Sequence, residues 1–210
     1  MIKPYYQTKL GQLFNCDCLE FMKTIPDKSI DLVLTDPPYG IGKAEWDKEY
    51  PLWLEDESFR IASTVCIMLA QWCIPQCIKQ MGNNYKWMLA GHKPAAMTRG
   101  RIGFNKWLPA IVGGKIPNKG ADAKDFHIGA KDEYNTGHPC QKPYQFVKWL
   151  VGLLSTDGNL IIDPFLGSGT TAVACELLNR RWIGIEISED YCRIAKKRIE
   201  AEANQGKFKF

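Results

Sequence analysis

Thr35-Asp36-Pro37-Pro38-Tyr39-Gly40 brings a carboxylate, two prolines and a phenol ring together within six residues. It directly follows Asp31-Leu32-Val33-Leu34, an apolar run that reads as a buried strand. Each proline fixes its own φ and offers no N–H, so the strand ends in a stiff corner. That corner presents a fixed acceptor and an aromatic face. A second stretch, Leu160-Ile161-Ile162-Asp163-Pro164-Phe165-Leu166-Gly167-Ser168-Gly169-Thr170-Thr171-Ala172, reads as strand, tight Gly-x-Gly turn and helix. Glycines at such a turn let a ligand approach the backbone, and the helix amino end favours anionic groups. The next strand, Trp182–Ile185, ends in Glu186, where an acid of a βαβ unit can take ribose hydroxyls. The chemistry these residues suit is the holding of a nucleoside. Ala172 stands where a dinucleotide fingerprint needs its last Gly, and Thr-Thr follows Gly169 where a phosphate loop needs Lys, which counts against NAD and ATP.

The elements that must position these residues alternate. Strands are predicted at Gln12–Asn15, Asp31–Thr35, Val65–Ala70, Tyr85–Ala90, Trp107–Val112, Leu160–Ile162 and Trp182–Ile185. Helices are predicted at Cys18–Ile25, Pro75–Met81, Pro143–Leu154, Thr170–Leu178 and Glu189–Glu202, and Gly40–Glu57 reads as a long loop passing into a helix. Pro109 predicts an edge position for its strand, and Ile116–Gly137 reads as irregular. Such alternation predicts an α/β domain with a largely parallel sheet. At 210 residues and 45% hydrophobic content, one domain with a real core is expected.

Net charge is +4, but its distribution is uneven. From Ser58 to Ala121 there is no Asp or Glu, while nine Lys and Arg fall in that span. A long acid-free segment suits a polyanionic partner. The eight cysteines are scattered and form no C-x-x-C pair, so reduced thiols are expected and a metal site is not. No apolar run reaches the roughly 18 residues of a membrane helix, and the start lacks a signal-peptide core. A cytoplasmic protein is expected.

Together, DPPY in the first half and DPFLGSGTT followed by IGIEIS in the second resemble the S-adenosylmethionine-dependent DNA amino-methyltransferases. The order, catalytic motif first and cofactor loop last, resembles the β group of that family. Asn15–Glu20 with Ile25–Asp31, the Gly40–Asp47 loop, Gly137-His138-Pro139-Cys140-Gln141-Lys142-Pro143 and Glu189–Tyr191 fit it as well. The resemblance implies a Rossmann-like methyltransferase fold with helices on both faces of a mainly parallel twisted sheet and a circularly permuted motif order. It implies one domain over 1–210, with target recognition at about 98–136.

The implied reaction is direct methyl transfer to the exocyclic amine of a flipped base, here N6 of adenine in double-stranded DNA. Asp36 would accept from the amine, as would the Pro37 carbonyl; Pro38 stiffens the turn, and Tyr39 stacks on the base. Cofactor-binding roles are implied for Asp163, Phe165, Gly167, Ser168, Gly169 and Thr170 at the methionine portion. Glu186 would take the ribose. Asp17 and Cys18 would lie at the adenine, with Ile187 or Phe165 as an apolar face, and His138, Pro139, Gln141 and Lys142 at the amino-acid end. Asp17 could equally be a helix N-cap, and His138 could stabilise a turn. Arg99, Arg101, Lys106, Lys115 and Lys119 are the candidate DNA contacts. Asp36 favours adenine, since relatives specific for cytosine N4 more often carry Ser there; that preference is not absolute, and cytosine N4 is the alternative target. RNA is a weaker third, and a silent DNA- or cofactor-binding relative is the non-enzymatic alternative. Pro139-Cys140-Gln141 spells the nucleophile motif of cytosine-C5 enzymes, but it lies before the cofactor strand rather than after the catalytic one. A homodimer and a separate restriction nuclease as partner are both left open.

Overall fold

The computed structural model describes residues 2–40, 42, 47–93, 103, 105–117, 119, 123–128 and 142–205. Among the described residues, nine strands form one sheet. They are β1 (Tyr6–Gln7), β2 (Gly11–Asn15), β3 (Ile30–Thr35), β4 (Ala62–Met68), β5 (Tyr85–His92), β6 (Trp107–Gly114), β7 (Phe126–His127), β8 (Leu160–Asp163) and β9 (Arg181–Glu186). The helices are α1 (Cys18–Met22), α2 (Leu54–Ile61), α3 (Ile74–Met81), α4 (Tyr144–Leu154), α5 (Thr170–Leu177) and α6 (Glu189–Gln205). Spatial order is β1-β2-β9-β8-β3-β4-β6-β5-β7. The run from β2 to β4 is parallel, β6 is antiparallel to both β4 and β5, and β1 is antiparallel to β2.

Period-two alternation splits the core between two faces. Leu13, Leu32, Leu34, Cys66, Met68, Ala110, Val112 and Ile161 point to one cluster, which α4, α5 and α6 complete with Phe146, Leu150, Val173 and Ile199. Phe14, Val33, Val65, Ile67, Ile111 and Ile162 point to the other, which α1, α2 and α3 complete with Phe21, Met22, Leu54, Ile61 and Met81. The sheet is therefore covered on both sides, which is why its central strands are apolar throughout.

The feature that makes a site is the pairing of β3 with β8, through Leu32↔Ile161 and Val33↔Ile162. Strands from opposite ends of the chain meet where the strand order reverses. Ligands of open α/β sheets bind in the crevice at such a switch point, outside the strands' carboxyl ends. Asp36 and Asp163 both lie there.

Three expectations need correction. Pro109 lies in β6, an interior strand. Its partner Ala90 donates its N–H away, to Asp125 O of the β7 side at 3.0 Å, so β5 asks nothing of the proline nitrogen. On the other side β4 has ended at Met68, and Pro109 O accepts from Leu69 N at 3.2 Å. Residues 116–137, expected to be irregular, supply β7 to the sheet. α2 spans Leu54–Ile61, longer than the loop reading suggested.

Candidate active site

The turn after β3 is held by a residue from its own loop. Asp47, 2% exposed, accepts through Oδ1 from Tyr39 N at 2.7 Å and from Gly40 N at 2.8 Å. Gly40 sits at φ +71°, a conformation open to glycine, so the turn can close over that carboxylate. Further along the loop, the Tyr50 hydroxyl donates to Glu55 of α2 at 2.6 Å, which ties the loop to the body. Burial pushes the Glu55 carboxyl up.

Asp36 sits at the centre of a short polar cluster. The Tyr39 hydroxyl donates to its Oδ1, and Lys142 forms an ion pair with its Oδ2. Lys142 Nζ also donates to the Tyr39 hydroxyl at 2.9 Å and stands 5.2 Å from the centre of that ring. Side-chain exposure is 20% for Asp36 and 13% for Lys142. The resemblance put Lys142 at the cofactor's amino-acid end. The structure shows its ammonium on Asp36, and Lys142 leads through Pro143 directly into α4, whose Val147 lines the same cavity.

Across the crevice, Asp163 ends β8 and is fully enclosed. It accepts from Thr35 Oγ1 at 2.8 Å, Thr171 Oγ1 at 2.7 Å and Phe165 N at 3.1 Å. Burial raises its carboxyl to about 6, against the pull of those donors. The Thr35–Asp163 bond joins the residue before Asp36 to the start of the Gly-x-Gly turn. Glu186 ends β9 and accepts from Gly167 N with one oxygen and Ser188 N with the other, each at 2.8 Å. Burial pushes its carboxyl up as well. Asn15 Nδ2 donates to the carbonyls of Glu186 and Ile187, each at 2.9 Å, which fixes the corner between β2 and β9.

These groups line one cavity of about 480 Å³. Its wall includes Asp17, Cys18, Asp36, Pro37, Pro38, Tyr39, Asp47, Lys142, Asp163, Phe165, Gly167, Ser168, Thr170, Glu186 and Ile187. Asp17 also caps α1, accepting from Glu20 N at 2.9 Å. Burial pushes the Cys18 thiol up to about 12. Gly169 has φ +83°, and a Cβ there would stand 3.0 Å from that of Ala195 in α6, so this glycine serves helix packing.

Three positioning groups escape the sequence reading. Asp47 is one. Arg198 of α6 is another: its Nη1 donates to Ser168 O at 2.6 Å, Ser168 Oγ at 2.9 Å and Thr170 Oγ1 at 3.1 Å, clamping the glycine turn. Trp53 is the third, packing at 6.2 Å between ring centres on Phe165. An acid closing the loop after DPPY is a signal the sequence did contain. Arg198 and Trp53 left none.

The basic candidates divide. β6 runs antiparallel to β4, with Thr64 opposite Gly114 and Met68 opposite Ala110. It carries Lys115 away to the edge opposite the crevice, and Lys119 donates to Ser155 O at the end of α4, at 2.7 Å. Both are therefore misplaced as neighbours of a base pocket. Lys106, ahead of β6, lies on the crevice side. Arg99, Arg101, His138, Pro139, Cys140 and Gln141 lie outside the described residues.

A family model of DNA methylases, the N6/N4 methyltransferase model, matches residues 69–197, more than half of the chain. The Type II methyltransferase M.BamHI of Bacillus amyloliquefaciens is 28% identical over 95% of this chain, which spans 59% of that protein's length. Among solved structures, the M1.HpyAVI–SAM complex superposes with a TM-score of 0.74 at 22% identity, over 90% of this chain and 99% of that one. PvuII DNA methyltransferase, cytosine-N4-specific, superposes with a TM-score of 0.75 at 17% identity, over 96% and 93%. At these identities the two structures speak for the fold.

Proposed function

The chain belongs to the N6/N4 DNA methylase family, and from that premise we propose that it transfers a methyl group from S-adenosylmethionine to the exocyclic N6 amine of adenine in duplex DNA. One observation carries the reading. Asp36 with Tyr39, and the Gly167 turn with Glu186, line a single cavity at the switch point of the sheet.

The cavity suits the methyl donor. Its volume lies within the range of small-molecule sites, roughly 300–1,000 Å³. Each Glu186 oxygen takes one backbone N–H and keeps a lone pair for a ribose hydroxyl. Ile187, 64% exposed, offers an aliphatic face to an adenine ring, with Asp17 and Cys18 beside it. Asp163, Phe165, Gly167, Ser168 and Thr170 line the remainder. Bound there, S-adenosylmethionine supplies a methyl group on a positively charged sulfur.

The chain's part is positioning. An exocyclic amine is a poor nucleophile because its lone pair is spread into the ring. Asp36 and the Pro37 carbonyl accept its two hydrogens and leave the lone pair aimed at the methyl. The nitrogen becomes cationic as the new bond forms. Asp36 stabilises that charge and is the nearest acceptor for the departing proton. Tyr39 supplies the stacking face. A base within a duplex cannot reach this crevice, so it is flipped out.

Asp36, where cytosine-specific relatives more often have Ser, supports adenine. The likeness to the cytosine-N4-specific PvuII enzyme favours cytosine N4 as the second reading. The acid-free basic span, with Lys106 on the crevice side, supports DNA as the partner. The Type II naming of M.BamHI supports a separate nuclease that cuts the same site. No helix among the described residues is long and apolar enough to cross a membrane, and a DNA substrate supports a cytoplasmic location. Incubation with labelled S-adenosylmethionine and DNA, followed by nucleoside analysis, tests the reading. N6-methyladenine is expected. N4-methylcytosine alone would replace it by the second reading.

A further inference from the structure

The Lys142 ammonium occupies the position the chemistry reserves for something else. It donates to Asp36 Oδ2 and to the Tyr39 hydroxyl and stands 5.2 Å over the Tyr39 ring. A flipped base needs the same carboxylate for its amine and the same ring for its plane. Both partners of the ion pair are largely shielded from water. Tyr39 meets Oδ1, but leaving Oδ2 of so shielded a carboxylate without a donor would be costly, so Oδ2 calls for a cation until a base enters. Lys142 can provide one and still withdraw. Its charge rides on a flexible four-carbon stem, while its backbone is fixed by Pro143 and α4, so retreat needs no movement of the main chain.

We propose that Lys142 is a positioning residue that stands in for the target amine, holding Asp36 and Tyr39 in their receiving arrangement until the base displaces it. The proposal rests on the reading that Asp36 receives the amine. It has a consequence that a purely structural lysine lacks. In the parent protein, the amine's hydrogen bond to Asp36 replaces the one that Lys142 gives up, so DNA affinity barely senses the amine. Without Lys142, Asp36 Oδ2 lacks this donor until the base enters, and the amine counts fully.

The test uses duplexes carrying the site read from DNA that the protein has methylated. One holds the target base and the other its amine-free analogue: purine for adenine, or pyrimidin-2-one for cytosine. The dissociation constants of parent and Lys142→Met give an amine-free to target ratio. That ratio should lie near one for the parent and rise about tenfold or more in the variant, the size of one hydrogen bond to a charged group. Lys142→Gln, which keeps a weaker donor, should fall between. A cooperative thermal unfolding transition like the parent's shows that a variant is folded, and Lys142→Gln alone carries the test if Lys142→Met fails this control. A parent-like ratio in every folded variant would overturn the role of Lys142, with the methyltransferase reading intact. A parent that transfers no methyl to DNA would overturn that reading and the role of Lys142 with it.

Discussion

The two sides of the crevice are built differently. On the cofactor side, Glu186 and Asp163 are met by backbone N–H groups and hydroxyls at most 19 residues away, with Thr35 as the one distant partner. On the base side, Asp36 is met by Tyr39, three residues on, and by Lys142, 106 residues away, and its turn is closed by Asp47 across a loop. A short-range frame is pre-formed by a strand and the helix after it. A long-range one depends on the whole sheet bringing separate segments together, and it can rearrange when a ligand enters. The cofactor side should thus behave as a fixed socket and the base side as an adjustable grip.

That contrast breaks if Asp36→Ala disturbs cofactor binding. The variant should lose methyl transfer by about a hundred- to a thousandfold, the range for removing one transition-state hydrogen bond, with S-adenosylmethionine affinity at the parent's level by titration. Asp47→Ala should be milder. Two N–H groups of the turn lose their acceptor, and transfer should fall about ten- to a hundredfold, again without change in cofactor affinity. Normal turnover by Asp47→Ala would show that the turn holds itself.

Glu186→Ala sharpens the comparison from the other side. Cofactor affinity should weaken by about 1–3 kcal/mol for a missing charged acceptor, while turnover recovers at high cofactor concentration. Unchanged titration would remove Glu186 from the site.

Asp163 makes the socket sensitive to pH. Its carboxyl, 3.8 in an unfolded chain, rises to about 6 on burial. The folded state thus holds the proton more tightly, and stability due to this group falls as pH rises from about 4 to about 6, then levels. Asp163→Asn should remove that slope, seen as a Tm difference between variant and parent that grows across the window and is constant above it. A difference independent of pH would deny the buried titration. At the small end, Cys140→Ser should leave methylation intact, because amine transfer uses no enzyme thiolate. Collapse of activity in a folded, cofactor-binding Cys140→Ser would point to a thiolate nucleophile.

The same contrast governs what the sequence could tell. The β8 turn and Glu186 were legible because one βαβ unit contains them within 27 residues. The corner at Asp36 was legible because Pro37 and Pro38 mark it. Lys142 was visible as a residue but not in its position, because its partner is set by the pairing of β3 with β8. The direction of β6 has no local signature, so Lys115 and Lys119 could not be seen to face the far edge. Strands of two residues, β1 and β7, are too short for an alternation to register. Pro109 misled because its missing N–H matters only where a neighbour strand is present to need it.

The central claim is that one cavity holds the methyl donor and the target amine together. An adenosine whose N6 is tethered to the cofactor's methyl position is the direct probe. Calorimetric binding of this conjugate to the parent, Asp36→Ala and Glu186→Ala should show it tighter than S-adenosylmethionine alone and weakened by each substitution. Affinity lost in Glu186→Ala but unchanged in Asp36→Ala would show that the two ends do not share a site.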